Sequence, residues 1–236
     1  MELNSNFILQ ADHLSKNYGP KRALDNVSFS IKSGRIVGLL GPNGSGKTTL
    51  IKILAGMNTV YQGNVSIAGC PPGPDSKTLI SYLPDKLYFP NWMKVNDIVE
   101  EFHSFFADFD AQKCYSMLQR LNVDARAKIK SLSKGTIEKL QLCLAMARNA
   151  RLYLLDEPLG GVDPAARDFI LDTILNNYSE HSTIVISTHL IADVERIFDT
   201  VIFLKDGQIA LCDDVDNVRM KEGKSIDQLF REVFKC

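Results

Sequence analysis

Residues 41–48 constrain the fold of this 236-residue chain more than any other segment. They read Gly-Pro-Asn-Gly-Ser-Gly-Lys-Thr and match the pattern Gly-x-x-x-x-Gly-Lys-Ser/Thr. The largely apolar segment Arg35–Leu40 precedes them, and the residues Lys47–Leu54 have the spacing of a helix that ends near Gly56. The sequence therefore predicts a buried strand, a tight loop and a helix in direct succession.

A loop of this kind has the chemistry of an anion-binding site. Its backbone N–H groups and the positive end of the helix dipole would face the same anion, and its glycines let the backbone close around it. We expect a nucleotide polyphosphate, with Lys47 bridging the β- and γ-phosphates and Thr48 offering its hydroxyl to Mg²⁺. A glycine-rich turn with a surface lysine is the alternative. The residues expected to hold the nucleotide are Gly41, Asn43, Gly44, Ser45, Gly46, Lys47, Thr48 and Thr49.

Two adjacent carboxylates end a second apolar segment, Leu152–Asp156. In a parallel sheet, ligands gather beyond the carboxyl ends of the strands, which is also where the glycine-rich loop would lie. Asp156 is then placed to hold Mg²⁺ or its waters, and Glu157 to accept a proton from an attacking water. A strand that simply ends in solvated acids is the alternative.

Composition and charge narrow the class of protein. Hydrophobic residues make up 45% of the chain and charged residues 23%, which is typical of a globular protein. The net charge of −1 gives no basic excess, so we expect no nucleic-acid partner. No apolar run approaches the roughly 18–20 residues of a membrane helix, and no secretory signal is apparent, so we expect a cytoplasmic location. The five cysteines lack a Cys-x-x-Cys spacing and are expected to be reduced thiols.

The order of the predicted elements favours an α/β chain. Alternating apolar and polar residues over 7–32 predict short antiparallel strands, and helical spacing predicts a mainly helical block inserted at about 86–150. Strands at 152–156 and 183–187 flank a predicted helix at 164–177. Such alternation indicates a mostly parallel sheet.

Residues 132–136, Leu-Ser-Lys-Gly-Thr, resemble the Leu-Ser-Gly-Gly-Gln signature of the ABC ATPases. Ser133 and Gly135 match the signature, whereas Lys134 and Thr136 depart from it. A serine hydroxyl, a glycine N–H and the N-terminus of the predicted helix 136–148 can still grip a γ-phosphate. Taken alone, the segment favours an ordinary helix start with a serine cap, and only the surrounding motifs reverse that preference.

The resemblance extends to three further residues and departs from the family at a fourth. Tyr18 occupies the position from which the family stacks an aromatic ring on adenine, although packing within the β layer is the alternative. Asp163 lies in a match to the family's D-loop and is also a sound helix N-cap. His189 matches the switch histidine that contacts the γ-phosphate. Asp85 stands where the family usually has a glutamine near Mg²⁺ and the attacking water. A carboxylate there could still bind the metal, but it adds negative charge near the γ-phosphate.

The resemblance implies a fold and an organisation. The expected fold is a P-loop NTPase (RecA-like) α/β core with an N-terminal antiparallel β layer and an inserted α-helical subdomain. Residues 1–236 would form a single ABC ATPase domain, with the helical subdomain at about 86–150. A β-hairpin with Asp206-Gly207 in its turn and a short helical tail at 213–236 would end the chain.

The resemblance also implies a function, the ATP-binding and ATP-hydrolysing subunit of an ABC transporter, similar to bacterial exporters of the ABC-2 type. ATP and Mg²⁺ would be its cofactors. Its partners would be a second ATPase subunit, identical or different, and a separate transmembrane permease at the inner face of the cell membrane. A non-transport ABC ATPase of the repair or translation-factor type is the alternative, but the long coiled coil or paired ATPase domains of those proteins are not found. A phosphate-loop kinase or GTPase would leave the signature, Asp163 and His189 unexplained.

Overall fold

The computed structural model describes residues 7–85, 89–160, 164–179 and 181–234, which form two β-sheets and the helices that pack on them. The elements in chain order are β1 (Phe7–Tyr18), β2 (Lys21–Lys32), β3 (Ile36–Leu40), α1 (Lys47–Leu54), β4 (Gln62–Ile67), α2 (Pro74–Thr78), β5 (Ile80–Leu83), α3 (Val95–Phe105), α4 (Ala111–Arg120), α5 (Lys134–Met146), β6 (Leu152–Asp156), α6 (Pro164–Asn177), β7 (Thr183–Thr188), α7 (Ile191–Val194), β8 (Thr200–Lys205), β9 (Gln208–Asp214), α8 (Val215–Glu222) and α9 (Ile226–Phe234).

The larger sheet has six strands in the order β5-β6-β7-β3-β8-β9. All neighbours pair in parallel except β8 and β9, which form an antiparallel hairpin. Because β6, β7 and β3 lie side by side, the residues that follow them meet at one edge of the sheet. The predicted parallel sheet and terminal hairpin are confirmed, and α1 and β6 have the predicted bounds.

Side chains of the larger sheet alternate between two cores. In β6, Leu152 and Leu154 pack on one face with α1 and the smaller sheet. Tyr153 and Leu155 point to the other face, where the residues of α4, α5 and α6 are also buried. Every residue of β6 is buried, as expected for a parallel strand that is covered on both faces.

The smaller sheet is antiparallel, in the order β2-β1-β4. The antiparallel layer that the sequence predicts is confirmed, but its strands are not short pieces, because β1 and β2 are continuous over 12 residues each. The register between β1 and β2 shifts where the alternating pattern of the sequence breaks. Two of these shifts coincide with residues of positive φ, His13 (50°) and Asn26 (53°). The long strand β1 carries Tyr18 to the rim of the site.

Three helices, α3, α4 and α5, lie between β5 and β6 in the sequence, which confirms the inserted helical part of the fold. Helix α5 begins at Lys134, two residues before the predicted start. Ser133 is its N-cap and accepts a hydrogen bond from Thr136 N at 3.2 Å, so the cap fixes where the helix begins. The helix ends at Met146 rather than 148.

The C-terminal helices begin at Val215 rather than at 213, because residues 213 and 214 complete β9. Helix α9 packs on β8 through the ring of Phe203, whose centroid lies 5.6 Å from that of Phe230. Within the described ranges, no helix combines the length and apolar character needed to cross a membrane.

Candidate active site at the carboxyl edge of the parallel sheet

The loop between β3 and α1 is wedged against two strands. A Cβ atom on Gly46, whose φ is 111°, would lie 2.5 Å from the carbonyl oxygen of Ala23 in β2. A Cβ atom on Gly41 would lie 2.4 Å from that of Leu204 in β8. Both distances are too short for any side chain, so glycine is required at these two positions. The close fit holds the start of α1 directly above the sheet edge.

Lys47 opens α1 and is almost fully buried, with 6% of its surface exposed. Its Nζ donates hydrogen bonds to the carbonyl oxygens of Gly41 (2.7 Å) and Pro42 (3.3 Å). The same atom lies 3.5 Å from Oε1 of Glu157. The lysine thus joins the loop after β3 to the acid after β6.

Glu157 has an unusual backbone, with φ at 53°. Non-glycine residues adopt this region at a cost, and here the backbone N–H compensates by donating to Ser187 of β7, to its carbonyl oxygen (3.1 Å) and its Oγ (3.0 Å). The turn directs the side chain between Lys47 and His189. Its Oε1 faces Lys47, and its Oε2 lies 3.0 Å from Nδ1 of His189, which follows β7.

Asp156 lies beneath this group and is 1% exposed. Its Oδ1 accepts hydrogen bonds from Ser187 Oγ (2.6 Å) and Thr48 Oγ1 (3.3 Å). Its Oδ2 is buried and has no hydrogen-bond partner in the described structure. Burial raises the pKa of the Asp156 carboxyl, and the charges of Glu157 and Asp85 raise it further against the two hydrogen bonds.

An unpartnered carboxylate oxygen beside a threonine hydroxyl fits a hard divalent cation such as Mg²⁺. In the described part of the chain, no group of three or more His, Cys, Asp or Glu side chains is arranged to hold a metal ion. Thr48 and Asp156 therefore suit a cation that takes its other ligands from phosphate and water, as Mg²⁺ at nucleotide sites usually does.

A cavity of about 660 Å³ opens above these residues. Most of the residues that the sequence predicts for the site line it. They are Tyr18, Asn43, Gly44, Gly46, Lys47, Thr48, Thr49, Asp85, Asp156, Glu157 and His189. The structure thus brings together residues that are up to 171 positions apart in the chain, from Tyr18 to His189.

Four predicted residues are placed differently. Gly41 and Ser45 belong to the loop but do not line the cavity. Ser45 is buried, and its carbonyl oxygen accepts a hydrogen bond from Gly207 N (3.0 Å). Ser133 and Gly135 are also absent from the wall. The remaining predicted residue, Asp163, lies outside the described residues.

The cavity wall also includes four charged or amide side chains that were not predicted for the site, those of Lys21, Lys134, Glu138 and Gln141. The last three stand at positions i, i+4 and i+7 of α5 and therefore share one helix face. That spacing is the signal that could have found them. Burial raises the pKa of Glu138, and the nearby charge of Lys134, 3.7 Å away, opposes the shift.

Comparison with known proteins identifies the family. The family model described as ABC transporter matches residues 24–160. The chain belongs to this family. An ABC transporter ATP-binding protein of Methanocaldococcus jannaschii is 32% identical over 222 residues, which cover 90% of this chain and 80% of the relative.

Two further ABC proteins are similar over most of the chain. The SkfA peptide export ATP-binding protein SkfE of Bacillus subtilis is 31% identical and is covered to 87%, with 86% of this chain aligned. A solved structure of the ATP-binding subunit of an ABC transporter superposes with a TM-score of 0.86 at 26% identity, covering 96% of this chain and 99% of that one. These findings confirm the predicted fold class and an ATP-binding, ATP-hydrolysing subunit of an ABC transporter. A non-transport ABC ATPase is not favoured.

Asp156→Asn should raise the thermal stability of the nucleotide-free protein at neutral pH. The folded-state pKa of this carboxyl is raised, so the native state loses stability as the pH rises through that pKa, and a neutral amide avoids the loss. The gain should shrink as the pH falls toward about 4, where the unfolded-state carboxyl also becomes protonated.

Thermal unfolding of the parent and of Asp156→Asn between pH 5 and 8 measures this effect. The exposed Asp172→Asn, on α6, is the matched control and should show no such trend. If the melting temperature of Asp156→Asn differs from that of the parent by the same amount at every pH, or lies below it at neutral pH, the assigned cost of burying this charge is contradicted.

Proposed function

We propose that this ABC ATPase hydrolyses ATP with Glu157 as general base, His189 as its orienting partner and Lys47 as the phosphate ligand. The contact of Glu157 with both Lys47 and His189, on the wall of the cavity, is the observation that carries the proposal. In this role His189 would hold the carboxylate toward the attacking water and contact the γ-phosphate. Asp163 is proposed to contribute from the D-loop, as the family pattern implies.

The ion pair between Lys47 and Glu157 would make the release of the Glu157 base depend on the binding of ATP. While Nζ of Lys47 lies 3.5 Å from Oε1 of Glu157, that oxygen faces the lysine rather than a water. The β- and γ-phosphates of ATP carry more charge than one carboxylate and would draw Lys47 toward them. We infer that ATP releases the Glu157 base as it binds.

Mg²⁺ is proposed to be held by Thr48 and Asp156, with Asp85 on the cavity wall as a further acidic neighbour. When bound, the cation would neutralise negative charge on the β- and γ-phosphates. This chain needs such neutralisation because Asp85 places an acid where the family usually has a neutral glutamine. The added charge is felt locally, since Asp85 contributes to the raised pKa values of Asp156 and Glu138.

The nucleotide is proposed to extend from the phosphate loop to Tyr18, where its adenine would stack on the half-exposed ring. Asn43, Gly44, Gly46 and Thr49 line the path between them. Gly41 and Ser45 would support the loop from below.

A second copy of an ABC ATPase subunit is proposed to complete the site. Ser133 is exposed at the start of α5, and neither it nor Gly135 lies on the wall of the chain's own cavity. ABC cassettes work as dimers and with transmembrane subunits. Ser133 and Gly135 would then bind the γ-phosphate of an ATP held by the partner, through a hydroxyl and a helix N-terminus.

The proposed cellular role is to power a separate transmembrane permease from the inner face of the membrane, in export. The name of the SkfE relative, which refers to peptide export, supports the direction of transport. The dimer could pair two copies of this chain or this chain with another ABC ATPase. Nothing in the charge balance suggests a nucleic-acid partner.

Lys47→Ala should weaken binding of Mg-ATP by about a hundredfold, because it removes a buried charge that would bond the phosphates. Isothermal titration calorimetry measures the affinity, and thermal unfolding checks that the variant is folded. Lys52→Ala removes an exposed lysine of the same helix and should bind ATP like the parent. If Lys47→Ala binds Mg-ATP as tightly as the parent, the assignment of residues 41–48 as the phosphate-binding loop is wrong.

Ser133→Arg should leave ATP binding by the single subunit intact but reduce turnover by about tenfold or more, because the bulky cation would block the γ-phosphate contact across the dimer. Ser131→Arg, two residues earlier and also exposed, is the matched control. Phosphate release and ATP affinity are compared for both variants. Parent-like turnover in Ser133→Arg would exclude the composite site.

A further inference from the structure

Tyr18 is held by contacts that its proposed stacking role does not require. The residue ends β1, and 47% of its surface is exposed. A half-exposed aromatic side chain on a sheet rim would ordinarily sample several rotamers, and ordering it on binding a ligand would cost entropy. Here two neighbouring side chains restrict the ring before any ligand arrives.

The first contact is made by Asn58, in the segment between α1 and β4. Its Nδ2 donates a hydrogen bond to the phenolic oxygen of Tyr18 at 2.7 Å. The backbone N–H of Asn58 donates to the carbonyl oxygen of Lys52, near the C-terminal end of α1. The ring is therefore connected to the same helix whose first residue, Lys47, lies in the phosphate site.

The second contact covers one face of the ring. The Nζ of Lys16 lies over Tyr18 at 4.9 Å from the ring centroid and donates to the carbonyl oxygen of Val60 at 2.5 Å. A cation in this position is attracted to the π-face of the tyrosine. Only the opposite face is left for a base to stack on, so the side from which adenine approaches is fixed.

We propose that Asn58 is a positioning residue that fixes the Tyr18 ring as a platform for the adenine base. It acts through the phenolic hydroxyl and sets the orientation of the ring relative to α1 and the phosphate loop. The inference rests on the proposed stacking of adenine on Tyr18 and assigns a role to a residue outside the known motifs. The base and the polyphosphate are then recognised by groups tied to one helix.

Calorimetric titrations with two probes test the role of Asn58. Mg-ATP carries a base, whereas inorganic tripolyphosphate with Mg²⁺ carries only the phosphates. Tyr18→Phe keeps the ring but loses the hydroxyl, and Asn58→Ala loses the donor. Each substitution should lower the affinity for Mg-ATP by about threefold to tenfold, the range expected for one hydrogen bond. Each should leave the affinity for tripolyphosphate unchanged. The double variant should be no weaker than either single variant, because both remove the same bond.

Tyr18→Ala separates this inference from the proposed function, and Asn17→Ala, an exposed neighbour on β1, is the matched control. If Tyr18→Ala leaves ATP affinity unchanged, the stacking role fails and the role of Asn58 fails with it. If Tyr18→Ala lowers the affinity for ATP but Tyr18→Phe and Asn58→Ala do not, the stacking of adenine on Tyr18 is supported and the role of Asn58 is overturned. Additive effects in the double variant, or equal losses for ATP and tripolyphosphate, would also overturn it.

Discussion

The buried ion pair between Lys47 and Glu157 is the interaction on which the site depends. Only 6% and 14% of the two side chains are exposed, so each charge needs the other in the absence of a ligand. The pair exists because β3 and β6 are separated by one strand, β7, in the sheet. Strand β7 supplies Ser187, which secures the strained turn at Glu157 and also binds Asp156.

At the same edge of the sheet, the buried carboxylate of Asp156 lowers the stability of the fold but suits the proposed function. Asp156 is buried with one oxygen unpartnered, and its raised pKa shows that its charge is unfavourable in the isolated fold. A well-packed core would not place a carboxylate there. In the proposed complex, Mg²⁺ and phosphate would complete the arrangement, and nucleotide binding would recover the stability lost by burying the acid.

Much of the fold was predictable because local chemistry determines it. The bounds of α1 and β6 follow from the glycine loop and from an apolar run that ends in acids, and both agree with the structure. Contacts that depend on tertiary placement were not predictable. The positive φ of Glu157 and the bond from Asn58 to Tyr18 arise only when distant segments meet.

The most direct test is the oligomeric state and turnover of Glu157→Gln. The amide keeps the size of the side chain but cannot accept a proton from water, so hydrolysis should fall by about a hundredfold or more while ATP remains bound. Size-exclusion chromatography with light scattering should show a dimer in saturating Mg-ATP and a monomer without nucleotide. Hydrolysis at the parent rate, or a monomer in saturating Mg-ATP, would contradict the role of Glu157 as the base of an ATP-bridged dimer.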